Sequence, residues 1–297
     1  MKAYPEQHIR LADGRHLSYD NVGAPDGTPV LYFHGVPSAR VEWQMWGDET
    51  MLQQLGVRLI AIDRPSVGSS TFQQYRRLSD WPADVAALAD RLGLQQFGVL
   101  GYSGGGPYAA VCARQIPERL IHTALVSSLA PFDLPGMLEG VAPGNVQFLK
   151  LAVQKPWLFR LLYGQIGLLT RLAPGQFLKR ALGTFEAADR AAFARPEVHG
   201  PILAAHGSGR SQQMDTALII SAWDFDLGEI AVPVQLWRGE QDHNASAAMF
   251  DYLARTIPKT QPHRVPGEGH ISLIVNHVPD ILKTFTRKLE RKTKPCC

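Results

Sequence analysis

Short apolar runs alternate with amphipathic segments along most of the chain. Apolar runs bounded by Gly, Pro or polar clusters predict buried strands, and apolar residues spaced three and four apart predict helices. Alternation of the two predicts a mainly parallel eight-stranded sheet with helices on both faces, preceded by an antiparallel hairpin. The predicted strands are residues 8–11, 16–19, 30–33, 57–62, 97–100, 120–128, 232–237 and 261–265, and helices are predicted at 79–92, 107–113, 245–255 and 271–289.

The alternation stops between about residues 130 and 228. This stretch holds several amphipathic helical segments and no predicted strand, and residues 148–172 are rich in Leu, Phe, Trp and Tyr. We therefore expect a core domain of residues 1–129 and 229–297, with a helical cap of residues 130–228 inserted after the sixth strand. The apolar faces of the cap would dock on the core and line a pocket.

One cap segment has an alternative interpretation. Residues 158–172 carry Arg side chains among Leu residues, which is also typical of a helix lying on a membrane surface. Pro156, Gly164, Gly167 and Pro174 punctuate this region. They favour a cap helix, so no stable membrane association is predicted.

Composition places few further constraints on function. Of the 297 residues, 45% are hydrophobic and 19% are charged, as in ordinary globular enzymes, and a net charge of +3 does not indicate nucleic-acid binding. The basic cluster at residues 287–294 is expected to be a solvated helix end. Cys112 is expected to be a buried apolar residue, and the adjacent Cys296 and Cys297 cannot form a disulfide framework. Without a signal peptide or a long apolar run, we expect a cytoplasmic protein; the composition does not indicate its oligomeric state.

The strongest chemical signal is Gly101-Tyr102-Ser103-Gly104-Gly105, between a predicted strand and an Ala-rich helix. A serine on such a turn is expected to have a strained backbone that presents Oγ above the sheet edge. Glycines two positions before and after it avoid collisions with neighbouring elements. The following helix directs its free N–H groups toward the same point.

A serine hydroxyl needs a base within hydrogen-bond reach and an acid that orients the base. Asp242 follows one predicted strand and His270 follows the next, where carboxyl ends of parallel strands meet. The competing bases are His243 and His277. The competing acids, Asp224 and Asp226, precede a strand instead of following it. The ten histidines show no metal-ligand spacing, so neither a metal nor another cofactor is predicted.

Four separated motifs make nearly the whole chain resemble the α/β-hydrolase superfamily. They are His34-Gly35-Val36-Pro37, the segment around Ser103, Gly239-Glu240-Gln241-Asp242 and Gly267-Glu268-Gly269-His270. Residues 63–70 are similar to the loop after the fourth strand of that family, with Ser66 where glycine is commoner.

The resemblance implies roles for these residues. Ser103 would be the nucleophile, His270 the general base and then acid, and Asp242 the orienting acid. The backbone N–H groups of Val36 and Gly104 would form the oxyanion hole. Gly35 and Tyr102 are further candidates for substrate contact, and His34 is expected to brace the oxyanion loop.

The expected function is hydrolysis of a small-molecule carboxylic ester or lactone through an acyl-enzyme. The apolar cap favours an apolar and bulky substrate, and a macrocyclic lactone is compatible with it. Carbon–carbon bond hydrolases have the same three residues, and some ligand receptors of this fold retain them with little turnover. Both alternatives stay open at this point.

Overall fold

One eight-stranded sheet runs through the molecule, in the order β1-β2-β4-β3-β5-β6-β7-β8. The computed structural model describes residue 2, residues 4–204 and residues 208–293, with side chains up to residue 286. β1 pairs antiparallel with β2 and β2 with β4, and every other neighbouring pair is parallel. The strands are Gln7–Arg10 (β1), His16–Gly23 (β2), Thr28–Phe33 (β3), Val57–Ile62 (β4), Phe97–Tyr102 (β5), Leu120–Val126 (β6), Val234–Gly239 (β7) and Thr260–Val265 (β8).

Helices cover both faces of the sheet, which confirms the predicted fold class. One apolar layer includes Trp81 and Tyr108, and the layer on the opposite face includes Trp43 and Phe285. The helices are Glu49–Gln54 (α1), Trp81–Arg91 (α2), Gly106–Gln115 (α3), Pro143–Gln154 (α4), Pro156–Leu172 (α5), Pro174–Leu182 (α6), Ala187–Phe193 (α7), Pro196–Ala204 (α8), Gly209–Ile220 (α9), Ala247–Thr256 (α10) and His270–Thr293 (α11).

The start of α2 differs slightly from the prediction. A 3-10 turn at Leu78–Asp80 precedes the helix, which begins at Trp81. Ser79 does not cap it, because the Ser79 hydroxyl donates to the Asp224 carboxylate instead. The helix predicted at residues 79–92 therefore begins two residues later, and Ser79 makes a tertiary contact in place of a local cap.

In the described part of the chain between β6 and β7, six helices follow one another, α4 to α9. Pro156 and Pro174 are the first residues of α5 and α6. An N–H at this position makes no hydrogen bond within the helix, so proline, which lacks an N–H, removes none there. Gly164 and Gly167 lie inside α5 without interrupting it. The Pro and Gly residues expected to interrupt this region therefore start helices or lie inside them. The limits of the cap domain stay a prediction.

No helix in the described ranges combines the length and apolar character needed to cross a bilayer. Cys112 is buried in α3 with a free thiol, as predicted. Cys296 and Cys297 lie outside the described residues, and so do the side chains of the C-terminal basic cluster.

Candidate active site

Ser103 occupies the sharp turn between β5 and α3. Its φ of +53° lies in the left-handed region, which costs a residue with a Cβ free energy. A Cβ on Gly101 would lie 2.9 Å from the Cβ of Ala109, and a Cβ on Gly105 would collide with the carbonyl of Phe33. Both glycines are thus needed for α3 to pass this close to the sheet, as the sequence predicted.

The structure brings Ser103, His270 and Asp242 into one line of hydrogen bonds. Ser103 Oγ lies 3.0 Å from His270 Nε2, and His270 Nδ1 lies 2.8 Å from Asp242 Oδ2. The other carboxylate oxygen of Asp242 accepts the backbone N–H groups of Asn244 and Ala245, each at 2.8 Å. Asp242 is therefore held by its own loop while it orients the imidazole.

Burial and charge act in opposite directions on this pair. Burial lowers the pKa of His270, but the charge of Asp242 and its hydrogen bond outweigh this and raise the pKa above its ordinary value. Burial raises the pKa of Asp242, yet His270 and the two loop N–H groups bring it below its ordinary value. An ionised carboxylate only accepts, so His270 Nδ1 carries the proton and Nε2 of the neutral ring accepts from Ser103.

The competing residues lie elsewhere. His243 Nδ1 is 3.1 Å from the Gly140 carbonyl, and His277 Nε2 is 3.1 Å from the Glu268 carboxylate. Asp224 accepts from Ser79, and Asp226 accepts the N–H of Gly228 at 2.7 Å. Geometry therefore favours His270 and Asp242 over each alternative weighed from the sequence.

The loop after β3 lies directly against the serine turn. A Cβ on Gly104 would stand 2.9 Å from the Cβ of Val36, and a Cβ on Gly35 would stand 3.3 Å from the Cβ of Ser103. Gly104 is in the first helical turn, where N–H groups have no partner within the helix. Val36 and Gly104 thus border the space beside Ser103, and their binding of an oxyanion stays a prediction.

Gly35 and Tyr102 have structural partners. The Gly35 N–H donates to Glu42 Oε2 at 2.7 Å, and the same carboxylate oxygen accepts from the Tyr32 hydroxyl at 2.6 Å. Tyr102 is buried, and its hydroxyl donates to the His270 carbonyl at 3.2 Å. Substrate contact by Gly35 or Tyr102 stays a prediction.

His34 braces the loop through one ring nitrogen. Its Nδ1 lies 2.8 Å from the Gly35 carbonyl and must donate, because a carbonyl only accepts. Burial and the nearby Arg64 charge hold the pKa of His34 well below its ordinary value. The ring is therefore neutral, in keeping with a bracing role.

Asp189 of α7 is a site residue that the sequence did not reveal. Its carboxylate accepts the backbone N–H groups of His270, Ile271 and Ser272, each at 2.9 Å. Those N–H groups open α11 and have no helical partner of their own. A residue of the inserted region therefore supplies the N-terminal acceptor for the helix that carries the imidazole.

Asp215 of α9 holds the side chain of Arg64, which in turn contacts the loop after β3. It is fully buried and accepts from Arg64 at 2.7 Å, from the Tyr108 hydroxyl at 2.7 Å and from Arg76. Arg64 also donates to the Gly35 carbonyl at 2.9 Å. Burial raises the pKa of Asp215, but the charges of Arg64 and Arg76 outweigh it and hold that pKa well below its ordinary value.

No sequence signal pairs these residues. Asp189 lies in the short segment Ala187–Phe193, and Asp215 sits in a helix whose buried polar residues have no motif. The only hint of a polar contact is in the composition of α9. This helix has modest amphipathicity, and its polar residues Gln212, Asp215 and Thr216 are buried. Which core groups they contact depends on how the chain folds back.

Among the described residues, no three His, Cys, Asp or Glu side chains are grouped to bind a metal ion.

Comparison with known proteins shows which family the chain is similar to. A family model of the alpha/beta hydrolase fold matches residues 28–277. Over 127 residues the chain is 37% identical to a non-heme chloroperoxidase of Streptomyces lividans, covering 41% of this chain and 45% of that protein. It is 30% identical over 128 residues to a bifunctional esterase/perhydrolase of Acinetobacter calcoaceticus, covering 42% and 45%.

The match spans about half the length of these curated relatives. A solved bromoperoxidase from Bacillus anthracis superposes over 96% of this chain and 100% of that chain, with a TM-score of 0.70 and 17% identity. At this identity the likeness concerns the fold.

Proposed function

The chain belongs to the α/β-hydrolase fold family, and we propose that it is a hydrolase that cleaves a carboxylic ester or lactone with Ser103 as nucleophile. The observation that supports this most directly is the hydrogen-bonded line from Ser103 Oγ through His270 to Asp242. The esterase activity named for the Acinetobacter relative agrees with it.

In the first half of the reaction, Ser103 Oγ bonds to the carbonyl carbon while His270 Nε2 takes the hydroxyl proton. The N–H groups of Val36 and Gly104 stabilise the oxyanion, and removal of one such donor typically costs about 3 kcal/mol of transition-state stabilisation. The carbon–oxygen bond to the alcohol then breaks, and His270 returns the proton to the leaving oxygen. An acyl-Ser103 ester remains.

In the second half, water attacks the acyl group and gives its proton to His270. Collapse of the tetrahedral intermediate releases the carboxylic acid and restores the Ser103 hydroxyl. The raised pKa of His270 suits both duties, because a stronger base accepts the proton more readily and Asp242 stabilises the imidazolium.

An apolar substrate fits the surroundings of the nucleophile. Ile219 of α9 is fully buried, and its Cδ1 would lie 3.2 Å from a Cβ placed on Gly104. Val36 borders the same position. Apolar side chains from α9 and the oxyanion loop therefore flank the place where the acyl group would lie.

Replacement of Ser103 tests the proposal. Ser103→Ala should lower turnover of p-nitrophenyl butyrate by at least about 10⁴-fold. Its melting temperature should change little, because loss of Oγ opens no core cavity. Ser69→Ala, an exposed serine whose hydroxyl has no described partner at the site, is the matched control and should keep full activity.

Labelling separates the open alternatives. Diethyl p-nitrophenyl phosphate should add one diethyl phosphoryl group to Ser103 in the wild type and none in Ser103→Ala. Wild-type turnover by Ser103→Ala would refute the nucleophile. Labelling without repeated turnover of any ester or lactone would favour a carbon–carbon bond hydrolase or a ligand receptor.

Perhydrolysis is a second candidate activity, favoured by the perhydrolase named among the relatives. Hydrogen peroxide would replace water in the second half, so that the acyl group leaves Ser103 as a peroxyacid and the serine hydroxyl is restored. Peroxyacid formation from acetate ester and peroxide, absent in Ser103→Ala, would be the expected result.

A further inference from the structure

Helix α5 carries an apolar stripe on its outer face. Trp157, Leu161, Leu168 and Leu172 are exposed by 67%, 53%, 56% and 76%. At 3.6 residues per turn, these four positions fall within about 60° of the helix circumference. They form one continuous stripe along the helix, which we call the outer stripe.

The outer stripe is not the face that holds α5 in place. Phe159, Tyr163 and Thr170 project from the opposite side and are buried. Phe159 and Tyr163 form an apolar cluster with Ala152 of α4 and Ala217 of α9. A surface helix ordinarily turns polar residues outward, so large apolar side chains on both sides indicate a second contact surface.

The chain segment that contains the outer stripe carries positive charges and no negative ones. Residues 140–185 contain six basic residues and no Asp or Glu, although the whole chain has a net charge of only +3. The remainder of the chain is therefore net negative by three charges. Lys155, Arg171, Lys179 and Arg180 are exposed, and Arg160 donates to the Gln213 side chain at 2.7 Å.

We propose that the outer stripe and its flanking cations dock on an anionic lipid surface. Apolar side chains enter the acyl boundary of such a surface, Trp157 suits the headgroup level, and Lys and Arg pair with lipid phosphates. A second copy of this chain is a poorer occupant, because a symmetric contact would bring two segments of six positive charges together.

The structure also removes the sequence-based objection to this surface. The Pro and Gly residues that argued against a membrane-surface helix leave α5 continuous over 17 residues. This inference does not rest on the proposed catalytic function. It concerns a helix that lies in the plane of the membrane surface, not one that spans the membrane.

Vesicle binding of the full chain tests the proposal. Sedimentation with vesicles of equimolar POPC and POPG should show at least about tenfold stronger partitioning than with POPC alone, and the difference should shrink as salt is raised. The emission of Trp157 should shift to the blue on binding. Trp157→Phe should remove that shift, which identifies it among the six tryptophans.

Paired variants separate the apolar and ionic parts of the surface. Leu168→Gln with Leu172→Gln should weaken partitioning by at least about tenfold. Arg171→Gln with Lys179→Gln should reduce the preference for POPG and its salt dependence. Tyr75→Ser, an exposed aromatic residue outside the surface, is the control and should bind as the wild type does.

Three results would overturn the proposal. They are no sedimentation with POPG vesicles, equal sedimentation of the wild type and the double Leu variant, or a dimer in light scattering that the double Leu variant dissociates. Hydrolysis of soluble p-nitrophenyl butyrate is measured on every variant. A variant that loses vesicle binding but keeps hydrolysis tests the docking proposal alone. A variant that loses hydrolysis but keeps vesicle binding tests the catalytic proposal alone.

Discussion

At the scale of single residues, two serines that the sequence analysis singles out have a strained backbone. Ser103 and Ser66 both have positive φ values, +53° and +73°. The position of Ser103 on a strand-to-helix turn predicts the strain there. That at Ser66 explains why glycine is commoner there, and Ser66 keeps a compensating contact, because its Oγ accepts the Gln73 N–H at 2.8 Å.

The pH dependence of Asp242→Asn tests the pair that raises the His270 pKa. The wild-type kcat/KM should rise as His270 loses its proton, with a midpoint above the ordinary value of about 6.5. In Asp242→Asn the charge that raises this pKa is lost while burial remains, so the midpoint should move down. The amide can also hold the wrong tautomer, so kcat should fall by about 10⁴-fold.

A pH–rate profile of kcat/KM on a soluble ester makes the measurement. Asp226→Asn is the matched control, since Asp226 is exposed and accepts only from its own loop. An unchanged midpoint in Asp242→Asn would mean that Asp242 does not set the titration of His270.

At the scale of elements, two glycines have different roles. Gly105 belongs to the serine turn, and a Cβ there meets the Phe33 carbonyl. Gly164 lies within α5, and a Cβ there meets nothing within 4 Å. The sequence predicts a steric need for glycine at Gly105 and an interruption of the helical region at Gly164. The distance to the next element decides which glycine is required.

Gly105→Ala and Gly164→Ala should therefore change stability in opposite directions. Gly164→Ala should raise the free energy of unfolding by about 0.5–1 kcal/mol, because alanine loses less backbone entropy in a helix. Gly105→Ala should lower it by about 1–3 kcal/mol or more, because α3 must move away from β3. Urea denaturation measures both, and stabilisation by Gly105→Ala would contradict the close approach.

At the scale of the whole molecule, helices between β6 and β7 hold two parts of the candidate site, the start of α11 and the loop after β3. Asp189 accepts from the backbone of His270, and Asp215 holds Arg64 on the Gly35 carbonyl. Both acceptors are buried. The helices between β6 and β7 are thus part of the framework of the candidate site.

Asp189→Asn should weaken catalysis through His270. The amide accepts fewer of the three N–H bonds and lacks the negative charge that favours a helix N-terminus, so stability should fall by about 1–3 kcal/mol. The negative charge of Asp189 also helps to raise the His270 pKa, so the pH midpoint should move down. We expect kcat to fall by about tenfold with KM little changed.

Glu186→Gln is the control, because Glu186 is an exposed carboxylate just before α7, the helix that carries Asp189. This variant should leave both kcat and the midpoint of the pH profile unchanged. A lower melting temperature in Asp189→Asn with the wild-type pH profile would reduce Asp189 to a purely structural residue.

The sequence by itself determined the sheet, the serine turn and the strand ends at which Ser103, Asp242 and His270 lie. Strand periodicity and glycine spacing are local properties, and parallel strands bring their carboxyl ends to one edge, so Ser103, Asp242 and His270 could be placed together before any coordinates. The course of α5 and the partners of Asp189 and Asp215 were decided only by tertiary structure. The partners of Asp189 and Asp215 lie 81 to 151 residues away, and α5 packs against α4 and α9, so no local pattern encodes which buried group meets which.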